Sequence, residues 1–113
     1  MRQFFGDNQT IEKEAISDLD KGFVSRFKSL VEERMKDAEL NVEDLGRNMG
    51  MSRVQLYRKL KSLTNYSPNE LLRQMRLKKA ASLLASSDMT VAEIAYEVGF
   101  SSPSYFTKCY KEQ

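Results

Sequence analysis

NVEDLGRNMGMSRVQLYRKLK, residues 41–61, holds two short helical patterns joined by a glycine-centred turn. Asn41 is placed to cap the first helix, with Asp44 three residues on as a weak capping box. Val42 and Leu45 supply that helix with an inward face, and it should end near Asn48. Gly50, between Met49 and Met51, can take the positive φ that closes a helix C-terminus. Ser52 then caps a second helix, with Gln55 at the N3 position. Leu56 and Leu60 lie four residues apart and mark its buried side. Val54, Tyr57, Arg58 and Lys61 follow the i, i+3, i+4, i+7 spacing and form a separate, cationic stripe with one aromatic ring in it. Helix, tight turn and a helix with a basic outer face is the layout of a DNA-binding helix-turn-helix. An ordinary αα-hairpin with a solvated basic face shares the pattern.

The overall charge of +2 says little until the chain is divided. Residues 1–50 carry 8 Lys/Arg against 11 Asp/Glu, residues 51–86 carry 8 against a single acidic residue, Glu70, and residues 87–113 carry 2 against 4. The basic charge is therefore gathered on the second helix of the motif and the segment after it. That is the electrostatic footprint of a polyanionic partner. An anionic membrane surface would attract the same charge, but the segment reads as packed helices and not as a lone amphipathic anchor.

Hydrophobic residues make up 41% of the chain and charged residues 30%, the balance of a globular protein rather than a disordered one. No apolar run approaches the about 20 residues of a membrane-spanning helix. Residues 1–10 are too polar to hold the apolar core of a signal peptide. Cys109 is the only cysteine and there is no histidine. A disulfide framework, a cysteine-based metal site and histidine-dependent chemistry are thereby excluded. No cofactor is implied, no set of acid, base and nucleophile points to an enzyme, and the cytoplasm is the expected compartment.

The remaining segments take helical patterns. Residues 1–18 read as a linker, with a turn signal at Gly6-Asp7-Asn8 and a marginal helical turn over residues 11–16. Phe23, Phe27, Leu30, Val31 and Met35 predict a helix over residues 21–38 that covers the core of the first motif. Residues 62–66 read as a connector. Ser67, Pro68 and Glu70 supply an N-cap, an N1 proline and a capping box for a helix to about Ala85. That helix would be roughly 27 Å long. Thr90 and Glu93 form another capping box, followed by Ile94, Ala95 and Val98 as an inward face. Gly99-Phe100-Ser101 is a turn, Ser102 caps again, Pro103 takes N1, and the last helix carries Tyr105, Phe106, Cys109 and Tyr110. Tyr96, Tyr105 and Tyr110 are expected in the core or against phosphates. Cys109 is expected to behave as a small buried hydrophobe.

The first motif recurs. Val42, Leu45, Met49 and Gly50 match Val91, Ile94, Val98 and Gly99, and Met51 and Ser52 match Phe100 and Ser101. After one extra residue in the second turn, Leu56, Leu60 and Lys61 match Phe106, Tyr110 and Lys111. The expected fold is thus all-α, two helix-turn-helix subdomains (residues 19–66 and 87–113) joined by a long linker helix (residues 67–86). Successive major-groove faces lie about 34 Å apart along DNA. A rigid helix near that length would let one chain address two adjacent grooves.

MSRVQLYRKLK (residues 51–61), SPNELLRQMRLKKAASLL (residues 67–84) and TVAEIAYEVGFSSPSYFTKCYK (residues 90–111) together resemble the DNA-binding domain of AraC-type transcriptional regulators. LYRKLK followed by LT and then SP is similar to the C-terminal output domain of hybrid two-component regulators of gut-type bacteria, in which a sensor, a kinase and a receiver come first. The resemblance implies that Val54, Tyr57 and Arg58 face bases, with Arg53 and Lys61 nearer phosphates. In the second unit the matching positions are Pro103, Ser104, Tyr105, Thr107 and Lys108, with Ser102 beside them. Arg58 and Lys108 would donate to guanine, and Tyr57 and Thr107 would meet thymine methyls or phosphates. Arg76 matches a family arginine whose role is more often structural. Two departures stand out. Gly46 replaces a usual alanine, at a cost of up to about 1 kcal/mol of helix stability. The family domain also continues with a Gly-Pro-containing turn and a closing helix where this chain ends, so the second unit is expected to be cut short, with a frayed last turn. It is also net acidic and should hold DNA less tightly than the first.

The implied function is sequence-specific binding of double-stranded DNA as the output domain of a bacterial transcription regulator, an activator. RNA polymerase and an upstream receiver domain are the implied protein partners, and no membrane contact is implied. The alternative is a protein-interaction module whose basic helix docks an acidic receiver or polymerase partner.

Overall fold

In the computed structural model, residues 17–112 are described. They form α1 (Asp18–Arg34), α2 (Val42–Asn48), α3 (Arg53–Thr64), α4 (Pro68–Ser86), α5 (Val91–Glu97) and α6 (Pro103–Lys111), with no strand among the described residues. The fold is all-α, as the spacing of apolar residues requires.

Caps set most of these boundaries. Ser52, Ser67 and Thr90 each accept from the backbone N–H of the N3 residue, while Gln55, Glu70 and Glu93 reach back to the cap N–H. Each box satisfies two backbone donors that a helix start would otherwise leave unpaired. Asn41 accepts from Asp44 N at 2.9 Å, but Asp44 does not return the bond; its carboxylate pairs with Arg47 instead. Only half of the box expected there forms.

Two boundaries differ from expectation. The first helix starts three residues early and ends four early. Ser17 caps it, accepting from Asp20 N, and Asp18 and Asp20 put negative charge at the positive end of the helix dipole. Past its C-cap at Met35, Asp37 N donates to the Arg34 carbonyl at 2.9 Å and the Asp37 carboxylate accepts from Glu39 N at 2.9 Å, so the chain turns over residues 37–39 instead of continuing as helix. The third helix runs on to Thr64, through most of the expected connector. Asn65 then takes the left-handed conformation, φ 68°, and donates to the Lys61 carbonyl. Asparagine tolerates that conformation better than most residues do. Residues 11–16 lie outside the described residues.

Two hydrophobic clusters sit along α4. Phe27, Val31 and Met35 of the α1 region pack with Leu40, Val42, Leu45, Met49, Leu56, Leu60, Leu71 and Leu72. Leu77 and Ala80 pack with Ile94, Ala95, Val98, Phe100, Phe106 and Cys109. The N-terminal half of α4 thus serves one cluster and the next turns serve the other. In the second cluster Phe100 and Phe106 meet edge to face at a centroid distance of 5.2 Å, a favoured aromatic geometry.

The repeat is imperfect in packing. Val42 is buried at 6% exposure, whereas its match Val91 is 49% exposed. Leu60 is fully buried, whereas Tyr110 stands partly in solvent. Tyr96, Tyr105 and Tyr110 are all exposed, so none takes the core place that was one of its two expectations.

Candidate nucleic-acid interface

The stripe of α3 begins with what lies beneath it. Leu56 and Leu60 are both 0% exposed and fix the helix against the first cluster. With that side pinned, helical geometry turns the other residues outward. Val54 is 56% exposed and Tyr57 47%, and Arg53, Arg58 and Lys61 are exposed as well. A large apolar side chain left in solvent beside an aromatic ring and three cations is unusual for a face with no partner.

The charges on this face are largely uncommitted. Arg53 and Arg58 form no ion pair among the described residues. Lys61 Nζ lies 4.0 Å from Glu70 Oε1, the outer limit of an ion pair, and both side chains are about half exposed. Such a pair contributes little and can exchange partners. The Glu70 pKa is lowered from its ordinary value, chiefly by its hydrogen bonds with Ser67, with Lys61 and Arg73 adding smaller effects.

Side chains that the sequence pattern did not single out hold α3 in place. Lys59 turns away from the stripe: its Nζ is 3.5 Å from Asp20 Oδ1 and 5.0 Å from the Phe23 ring centroid. It ties α3 to α1. Arg26 of α1 donates from Nη2 to the Asn48 carbonyl at 2.9 Å, satisfying an acceptor at the end of α2. Neither contact has a local sequence signal, because the partners are 39 and 22 residues apart. Arg26 and Lys59 look like ordinary solvated charges when the chain is taken in order.

The α6 face is more mixed. Ser104 and Lys108 are exposed, and Tyr105 is 51% exposed. Ser102 spends its hydroxyl on the cap, accepting from Tyr105 N at 3.2 Å. Thr107 is half-buried and its hydroxyl donates to the Pro103 carbonyl at 3.0 Å, which leaves its oxygen lone pairs and its methyl for any outside contact. Pro103 is likewise half-buried. The Tyr105 phenol is raised above its ordinary pKa, chiefly by the neighbouring Cys109 side chain, while Arg73 of α4 pulls the other way. Cys109 itself is buried, as expected of a small hydrophobe. Of the eleven residues singled out from sequence, α3 carries five and the Ser102 cap with α6 carries six; of these Ser102, Pro103 and Thr107 are drawn partly inward.

Arg76, on α4, takes no place on either face. Its Nε donates to the Met35 carbonyl at 3.2 Å and its Nη2 to the Asp37 carbonyl at 2.9 Å. Burial lowers its pKa from the ordinary guanidinium value and the nearby Asp37 charge opposes that. Guanidinium nevertheless stays charged throughout the accessible pH range.

Known proteins share this architecture. A family model described as a helix-turn-helix domain matches residues 45–113, more than half of the chain. A protein named histidine kinase P4, from Formosa agariphila, is 37% identical over 98 residues, which is 87% of this chain and 7% of that protein. Among solved structures, a transcriptional regulator from Chromobacterium violaceum described as containing an AraC-type DNA-binding domain superposes with a TM-score of 0.76, at 26% identity over 85% of each chain. The DNA-binding domain of AdpA, solved with a target DNA, superposes with a TM-score of 0.74, at 30% identity over 79% of each chain. The chain spans only a small part of the kinase it matches. Two outward-facing helices on capped helix-turn-helix frames, joined by one long helix, thus have a known setting, and the chain belongs to the AraC-type helix-turn-helix DNA-binding domains.

Proposed function

We propose that this chain binds double-stranded DNA sequence-specifically, as the output domain of a transcription regulator, with α3 and α6 entering adjacent major grooves. The observation that carries this is the α3 face: Arg53, Val54, Tyr57 and Arg58 all stand in solvent over two leucines that are wholly buried. A helix presented in this way fits the major groove, which is wide enough to admit it. Arg58 donates to a guanine edge, Tyr57 and Val54 meet thymine methyls, and Arg53 and Lys61 neutralise phosphates. On α6, Lys108 is the base donor, and Ser104, Tyr105 and Thr107 support it, with Ser102 at the phosphate-facing end. The nineteen residues of α4 span about 28 Å, close to the separation of successive major-groove faces.

The likeness to a segment of a histidine kinase supports a hybrid two-component setting. A receiver domain would then precede this chain and act on it. RNA polymerase contact by an activator, and work in the cytoplasm, belong to the same proposal. Among the described residues no helix is long and apolar enough to cross a membrane. The domain limits that follow are residues 19–66 and 87–113 for the two reading units and residues 67–86 for the helix between them.

The test is a mobility-shift titration of Arg58→Ala on the sequence that the wild-type chain prefers. Loss of a bidentate base contact costs about 1–3 kcal/mol and relaxes preference at one position. Unchanged affinity for that sequence would refute the base-reading role. Binding that tracked an acidic protein partner, with no preference among duplexes, would favour the protein-docking alternative.

A further inference from the structure

Three elements of the fold converge on one backbone carbonyl. Met35, at the end of α1, accepts from Arg76 Nε in the middle of α4. Gly99, in the turn between α5 and α6, lies against the same oxygen: a Cβ built on it would sit 1.8 Å from Met35 O and 2.7 Å from Arg76 Nε. Gly99 also has φ +99°, a conformation that side chains rarely adopt. Beside this point Arg76 takes a second carbonyl, that of Asp37, and Lys36 Nζ meets Glu97 Oε1 of α5 at 3.1 Å. The Lys36–Glu97 pair is exposed and contributes little by itself. The Arg76 contacts are different, because they are charge-assisted bonds from a half-buried cation to two backbone carbonyls just past the end of α1, the Asp37 carbonyl accepting from Leu40 N as well.

These contacts have a consequence for geometry. Each hydrophobic cluster fixes one helix-turn-helix unit to its own half of α4. Neither cluster contains Arg76. Packing on α4 alone would leave the second unit free to rock about the helix axis relative to the first. The Met35–Arg76–Gly99 contact adds a third point that joins the end of α1 directly to the second turn. A third fixed point stops that rotation.

We infer that Arg76 is a positioning residue that locks the register between the two recognition helices, and so sets the spacing of the two half-sites that one chain can bind. The inference rests on the DNA-binding proposal. Two linked binding units gain affinity over either alone only when the linkage lets both engage at once. A locked linkage favours one spacing sharply, and a loose one accepts several.

The test uses the whole chain, as wild type, Arg76→Met and Arg76→Lys, with circular dichroism to establish that each is folded. The duplexes carry the two preferred half-sites at graded separations, and a further duplex carries the α3 half-site alone. Wild type should prefer one separation, with affinity falling about tenfold or more on either side. Arg76→Met should flatten that profile and weaken binding at the best separation by about tenfold, while binding to the lone half-site stays within about twofold. Lysine reaches one carbonyl where arginine reaches two, so Arg76→Lys should fall between. The inference is overturned if Arg76→Met keeps the wild-type profile, if it weakens the lone half-site equally, or if wild type discriminates sequence but not separation. Should Arg76→Met not fold, an unaltered profile in Arg76→Lys overturns it just as well. If wild type shows no sequence preference on any duplex, it is the DNA-binding proposal that fails.

Discussion

Replacing Gly46 with alanine sets helix propensity against a close contact, and the magnitudes decide the sign. Gly46 lies in the interior of α2 without a positive φ, so propensity alone would make Gly46→Ala stabilising by up to about 1 kcal/mol. The built Cβ, however, falls 2.7 Å from the Met51 carbonyl oxygen. An ordinary carbon–oxygen contact is about 3.3 Å or more, so roughly half an ångström of overlap must be relieved. The group that must move is backbone, not a flexible side chain. Met51 N also donates to the Gly46 carbonyl at 2.8 Å, and the next residue, Ser52, caps α3. Moving Met51 therefore stretches the turn's own hydrogen bond, worth about 1 kcal/mol, and adds overpacking strain of about 1–3 kcal/mol. Gly46→Ala should be net destabilising, by about 1–3 kcal/mol, each kcal/mol lowering Tm by about 4–8 °C for a domain of this size. The matching residue in the second unit is Ala95, where the turn has one residue more before its cap. Urea denaturation of the two proteins, compared at equal slope, measures the difference. A midpoint equal to or above that of wild type would refute the steric reasoning and restore the propensity argument.

Adjacent residues on α3 should separate stability from binding. Leu56→Ala removes a wholly buried side chain and should cost about 2–5 kcal/mol in denaturant unfolding, whereas Tyr57→Ala should stay within about 0.5 kcal/mol of wild type yet bind the preferred duplex more weakly. Stability in acid should depend on Glu70. Its folded-state pKa lies below the ordinary value of 4.5, so its contribution is present above that value and is lost as pH falls through the folded one. Thermal melts taken from neutral pH into the acid range should therefore show part of the decline in wild type and less in Glu70→Gln, which keeps a capping amide but cannot titrate; equal declines would assign the loss elsewhere.

Local signals carried the reading of the fold furthest. Ser52, Ser67, Thr90 and Ser102 all cap where the sequence placed them, because a cap is a bond between neighbours three residues apart. Leu56 and Leu60 are buried where their spacing put them. The misplaced boundaries have local causes as well, though weaker ones: Asn65 closes α3 in a conformation more often given to glycine, and Asp37 turns the chain just past the end of α1. What the chain in order could not disclose is long-range. The Arg76 bonds to Met35 and Asp37 join residues 41 and 39 positions apart, and Arg26, Lys59 and Gly99 act on partners equally invisible to periodicity. The exposed stripe on α3 was legible from spacing. The inward turn of the Thr107 hydroxyl was not, since threonine on a helix can point its hydroxyl back at the preceding turn or outward.

On the proposed function, α3 and α6 both present base-reading faces from one rigid chain. Selection of bound duplexes from a random pool, with the wild-type chain alone, addresses it most directly. A motif in two blocks should be enriched, their centres about one helical turn, or about 10 base pairs, apart. A pool that emerges with no enriched sequence would contradict it.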